Sequence, residues 1–138
     1  MSSSQTLDKE SWHPLRMGDV TEFIGPYLRR RTPKGYVYAF QTDERHANIN
    51  GVLHGGMLVT FADQALGSTV YEATGKRKCV TASLNVQFVN AVKPGEFVEC
   101  DAEVIRVTRS LVFIRGMLRV GDRVVLAADG VWKILGAP

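Results

Sequence analysis

In residues 80–88, VTASLNVQF, apolar and polar positions alternate, with Val80, Ala82, Leu84, Val86 and Phe88 set against Thr81, Ser83, Asn85 and Gln87. A period of two sends the two sets to opposite faces, so the stretch predicts a half-buried β-strand. The rhythm returns in FVECDAEVIRV (97–107), with Val98, Cys100, Ala102 and Val104 on one face. LVFIRGMLRV (111–120) and RVVLAADGVWKIL (123–135) read as two further strands. The connections carry turn chemistry: a Pro-Gly pair in KPGE (93–96), a break at TRS (108–110), and Gly121-Asp122 as a two-residue hairpin turn. Upstream the period is helical. From Gly56 to about Thr74 the chain is apolar on nearly every side, through Met57, Leu58, Phe61, Ala62, Ala65, Leu66 and Val70, and Gly75 takes the C′ position. A helix apolar all round must be enclosed by protein. Before it, KGYVYAFQT (34–42) predicts one strand, SWHPLRMGDVTEFIGPYL (11–28) a short helix broken at Pro26, and DERHANINGVLHGG (43–56) a loop. Residues 1–10 read as a loose tail.

The predicted order is a strand, one long helix, then about four antiparallel strands. One curved antiparallel sheet wrapped around the helix satisfies both the wet strand faces and the enclosed helix, which is an α+β architecture. At 138 residues the chain is expected to form a single domain over 1–138. Its 45% hydrophobic and 22% charged residues are an ordinary globular balance. A net charge of +3 suits an anionic small molecule and is too weak to argue for nucleic acid. No stretch approaches the roughly 20 apolar residues of a membrane span, and the N-terminus lacks a signal-like apolar core, so a cytoplasmic location is expected. Cys79 and Cys100 read as two reduced thiols. No Cys or His cluster has ligand spacing, so neither a metal nor a resident cofactor is expected.

The one misfit in the helix is Asp63. A carboxylate there is costly without a partner. It either caps a backbone group, pairs with an arginine such as Arg106 or Arg115, or does chemistry. Gly55 and Gly56 open the helix, where unpaired N–H groups and the dipole favour developing negative charge and where glycine admits a ligand close to the backbone. Taken alone they are ordinary helix-start glycines. Asp63 lies eight residues past Gly55, about 12 Å along one helix. A single carbonyl carbon cannot touch both. Either the two serve separate purposes, or Gly55 of one copy faces Asp63 of another across a symmetric dimer. His54, His46, Asn48 and Thr81 are further polar candidates, each of which could equally be a satisfied loop histidine, a turn asparagine or a surface strand residue.

The run HANINGVLHGGMLVTFADQALG (46–67), continued by VTASLNVQFVNAVKPGE (80–96), resembles the hotdog-fold acyl-CoA thioesterases of the phenylacetate-pathway type. The resemblance covers about four-fifths of the chain, and the Asn, His-Gly-Gly and Asp spacing is more specific than His-Gly-Gly alone. It implies a hotdog fold, a homodimer at minimum and a homotetramer built as a dimer of dimers. It implies that the amide polarising the thioester carbonyl falls on Gly55, with Gly56 beside it. The catalytic acid falls on Asp63 of the opposite subunit, the loop asparagine on Asn48, the motif histidine on His54, and the assisting hydroxyl on Thr81.

The function this implies is hydrolysis of acyl-CoA to a carboxylic acid and coenzyme A, with Asp63 acting as general base on water or as the attacking nucleophile. Coenzyme A is then part of the substrate, not a cofactor. Its phosphates need basic residues. Arg29, Arg30 and Arg31, Lys93, Arg106 and Arg109 are candidates, and Arg109 in the 108–110 turn is preferred, since relatives of this type often carry a basic residue there. A non-catalytic acyl-CoA-binding hotdog protein is the alternative, and Asp63 argues against it. A dehydratase would use a differently ordered His and acid motif, and nucleic-acid binding lacks the interleaved aromatics. No nucleic-acid or membrane partner is expected.

Overall fold

The computed structural model describes residues 11–136, so the expected tail at 1–10 lies outside the described residues. The elements are β1 (His13–Pro14), α1 (Asp19–Ile24), β2 (Tyr27–Thr32), β3 (Gly35–Gln41), a 3-10 turn (Glu44–His46), α2 (Gly55–Ala73), β4 (Cys79–Phe88), β5 (Phe97–Val107), β6 (Leu111–Val120) and β7 (Arg123–Ile134). The strands form one antiparallel sheet in the order β1-β2-β3-β5-β6-β7-β4.

The long helix and the four strands that follow it match the pattern read from the sequence. The front of the chain needs correcting: two strands, β1 and β2, precede β3 where none was expected. β2 contains Arg29, Arg30 and Arg31, three of the candidates for phosphate contacts. Their guanidinium groups stack on aromatic rings. Arg29 and Arg31 sit over Tyr36 at 4.3 and 5.1 Å, and Arg30 over Trp12 at 4.9 Å. A guanidinium stacked on a ring covers aromatic surface although it reads as a charge in the sequence, which hides the strand's alternation. The short helix expected before Pro26 is present as α1 and ends at Ile24.

Helix α2 touches β3, β5, β6, β7 and β4. Five strands at about 4.8 Å spacing span roughly 19 Å, wider than a helix of about 10–12 Å, so the sheet must curve to reach it. Leu58, Phe61, Ala62, Ala65, Leu66 and Val70 of α2 are buried against Phe40, Val98, Val112, Ile114, Leu118 and Trp132. Truncating one of the large aromatics in such a core costs about 3–5 kcal/mol. Cys100 faces this core, and burial, with a smaller push from Asp101, raises its thiol to about 12. It is a packing residue. Among the described residues no helix is long and apolar enough to cross a membrane.

β4 departs from the half-buried strand its alternation predicts. Leu84 and Val86 are partly covered, but Val80 and Phe88 are 46% and 57% exposed. β4 is an edge strand, so one of its neighbours is missing within the chain.

Candidate active site

The N-terminus of α2 is organised by His54, its N-cap residue. The ring Nδ1 accepts the Gly56 N–H at 2.9 Å, and the His54 carbonyl accepts the Met57 N–H at 2.9 Å. Gly56 makes room for the ring, since a Cβ there would lie 3.0 Å from Nδ1. With Nδ1 accepting, a neutral ring carries its proton on Nε2. Of the first three amides of the helix, the Gly55 N–H alone has no acceptor among the described residues. It is a free donor at the positive end of a 19-residue helix. Gly55 also borders β4, because a Cβ there would sit 3.2 Å from the Phe88 ring. His54→Ala is expected to cost about 1 kcal/mol by losing the cap, and His54→Asn to recover most of it. Urea midpoints measure this, and an unmoved midpoint in His54→Ala would remove the capping role.

Asn48 shapes the loop leading into the helix. Its Oδ1 accepts the Asn50 N–H at 2.8 Å, and its carbonyl accepts the Gly51 N–H at 3.1 Å, forming an Asx turn. The Asn48 Nδ2 donors have no partner among the described residues. His46 is spent on structure. It is 3% exposed, its Nδ1 accepts the Asp43 N–H at 2.9 Å, and its Nε2–H donates to the Ile24 carbonyl.

Asp63, two turns further along α2, is half-buried. Its Oδ1 accepts the Thr81 hydroxyl at 2.6 Å, a short hydrogen bond of the charge-assisted kind. Thr81 can reach it because β4 folds back along the helix. The arginine pairing weighed from the sequence does not form, for Arg115 pairs with Glu103 at 2.9 Å. No ion pair reaches Asp63 among the described residues. Tyr27 also feels its charge. Burial first, and then Asp63, push this phenol well above its ordinary range, and its hydroxyl is buried without a hydrogen-bond partner among the described residues. Asp63 and Thr81 stand at one end of an open cleft of about 530 Å³.

Within one chain Asp63 and Gly55 are not brought together, since both sit on the same straight helix. Arg109 is exposed in the β5–β6 connection. That connection lies at the Thr81 end of the sheet: the Ser110 carbonyl accepts the Ile134 N–H, and Thr81 pairs with Trp132 two residues earlier on the same strand.

A free helix-terminal amide and a hydroxyl-held carboxylate are the parts of an acyl-transfer site. Residues 50–127 match the family profile described as the thioesterase superfamily. The chain belongs to the thioesterase superfamily. PA0474 of Pseudomonas aeruginosa, provisionally named an esterase, is 30% identical over 128 residues, 91% of this chain and 96% of the relative. Acyl-coenzyme A thioesterase 13 of Mus musculus is 28% identical over 85 residues, 59% of this chain and 58% of the relative. Among solved structures, a single-substitution mutant of the phenylacetic acid degradation protein PaaI from Thermus thermophilus superposes with a TM-score of 0.73 at 21% identity, covering 84% of this chain and 98% of that one. The fold is the hotdog fold, and membership carries thioester hydrolysis as the general activity.

Three residues of this region escape sequence reading. Tyr27, Gly67 and Trp132 lie far apart in the chain and carry no local motif. Only sheet register and helix packing bring them to the Asp63 side of α2.

Proposed function

We propose that this protein hydrolyses acyl-CoA thioesters at composite sites formed by two copies of the chain. The observation that carries the reading is the division of labour along α2: a free amide at Gly55, and a carboxylate at Asp63 two turns away, held by Thr81. The edge strand β4 supports a way to unite them. Its free edge and exposed apolar residues suit antiparallel pairing with a second β4. A twofold axis near the middle of the strand sets the Thr81 end of each copy against the Phe88 end of the other. Thr81 holds Asp63 and Phe88 borders Gly55, so the carboxylate of one copy meets the amide of the other.

In this reading the thioester carbonyl oxygen accepts the Gly55 N–H, which stabilises the oxyanion as the tetrahedral intermediate forms. Asp63 of the other copy takes a proton from a water that attacks the carbonyl carbon, or attacks that carbon itself to form an anhydride that water then hydrolyses. Thr81 donates to Oδ1 and so aims the other carboxylate oxygen. Coenzyme A leaves as the thiol and the acyl group as the acid. His54 holds the helix end in place, Gly56 admits its ring, and Asn48 rigidifies the entry loop. Arg109, free at the Thr81 end of the sheet, is placed to meet a phosphate of coenzyme A. The mouse relative, named an acyl-coenzyme A thioesterase, supports the choice of thioester.

The direct test is thiol release from a panel of short-chain, medium-chain and aryl acyl-CoA esters. Turnover of at least one ester is expected. If the pure protein binds these esters but releases no thiol from any of them, the non-catalytic binding reading takes its place.

A further inference from the structure

The cleft that starts at Asp63 and Thr81 continues past them. Its helix wall is Asp63, Gly67 and Tyr71, spaced at four residues and so forming one stripe of α2. Its sheet wall is Val80 and Thr81 of β4 with Trp132 of β7. Thr81 and Trp132 are direct cross-strand partners, so their side chains share the face that looks at the helix.

Trp132 is 2% exposed, and its indole Nε1–H donates to no described residue. The Nε1 atom is not sealed in the core: the small exposed part of Trp132 includes it, so the donor meets solvent in the free protein, and an acyl chain that covered it without offering an acceptor would leave it unpaired at a cost. The absence of a side chain at Gly67 lets that N–H edge come close to the helix. A methyl at Gly67 would lie 3.2 Å from Nε1 and 3.8 Å or more from the neighbouring ring carbons, so it would cover the donor first. Gly67 and the Trp132 N–H therefore open onto the cleft one helical turn beyond Asp63, about 6 Å along the axis.

We propose that Gly67 and Trp132 form an acyl-recognition subsite, in which an oxygen on the acyl group accepts the Trp132 indole N–H. The proposal rests on the acyl-thioester reading above. It names the substrate class as acyl groups bearing a hydroxyl or carbonyl oxygen roughly 6 Å beyond the thioester carbonyl, one helical turn of reach. Such a site discriminates against plain hydrocarbon chains, since a chain without the oxygen leaves the donor unpaired. Gly67 is the specificity-determining position, because any side chain there stands between the acyl group and the donor.

The chain contains two tryptophans, Trp12 and Trp132, so the 15N-labelled protein gives two indole N–H signals, and Trp132→Phe assigns them. Trp12 packs on Phe97 at 5.5 Å and serves as an internal reference. The probes are the unreactive thioethers S-(ω-hydroxypentyl)-CoA and S-pentyl-CoA, and CoA itself. The expected result is a downfield move of the Trp132 signal with the hydroxylated thioether alone, with Trp12 unmoved. In turnover, Gly67→Ala is expected to reduce the preference for ω-hydroxypentanoyl-CoA over pentanoyl-CoA, measured as the ratio of kcat/KM, by about tenfold. An equal shift with CoA alone would overturn the proposal, since the cleft would then hold the pantetheine arm. So would a stationary Trp132 signal while calorimetry shows the hydroxylated thioether bound, or an unchanged preference in Gly67→Ala. The two readings fail separately. A Trp132 shift without thiol release from any ester keeps the subsite and loses hydrolysis, whereas thiol release with a stationary signal does the reverse.

Discussion

Asp63→Ala is expected to slow thiol release from the best acyl-CoA substrate by about 10²–10⁴ in kcat, the range for losing a positioned acid or base. Asp63→Asn should lose nearly as much. Its amide oxygen can still accept the Thr81 hydroxyl, which Asp63 accepts at 2.6 Å, but it can neither take a proton nor attack. The pair therefore separates chemistry from packing. If the role of Asp63 were structural, the asparagine would rescue most of the activity and the alanine would be the damaging change. KM should move little in Asp63→Asn, since the lost interaction belongs to the transition state. Near wild-type kcat in both variants would sink the assignment. Thermal stability should be nearly unchanged in Asp63→Asn, which keeps the Thr81 hydrogen bond and loses no ion pair among the described residues.

The second large effect concerns how two chains share a site. Gly55→Pro removes the Gly55 N–H and little else. Gly55 is the first helical residue, where proline's missing donor and fixed φ are tolerated. His54 before it is already in the extended backbone that a following proline requires. A Cβ there meets only the Phe88 ring, at 3.2 Å, a contact that a small shift of that ring relieves. Loss of one oxyanion donor should cost about 10²–10³ in kcat. Gly55→Pro and Asp63→Ala should thus each be nearly inactive alone. Mixed, exchanged and reassembled at random, half the dimers would be hybrids. Each hybrid holds one site with both defects and one intact site, built from the Gly55 of the Asp63→Ala chain and the Asp63 of the Gly55→Pro chain. Recovery of about a quarter of wild-type activity is expected from a closed twofold assembly. Verified subunit exchange with no recovery would place both groups in separate single-chain functions and overturn the composite site.

Much of this was legible along the chain, for a definite reason. The apolar stripe and opening glycines of α2, the alternation in β5, and the Pro94-Gly95 and Gly121-Asp122 turns depend on neighbours two to four residues apart. Asp63 announced itself as an acid in an apolar helix, and helix rise alone separated it from Gly55. The strand β2 was not legible, because it is carried by arginines whose guanidinium groups find their aromatic partners, Tyr36 and Trp12, only in the folded chain.

By itself, then, the sequence determined the long enclosed helix, the strands after it, and the impossibility of one carbonyl touching both Gly55 and Asp63 of a single chain. The tertiary structure alone decided the rest. It chose Thr81 over an arginine as the partner of Asp63. It tied up the Gly56 amide and left that of Gly55 free. It left β4 at the sheet edge and set Trp132 over Gly67, 65 positions apart in the chain. Helical and strand periods follow from local backbone geometry, whereas partners this distant are set by strand register and core packing, which no local window of residues encodes.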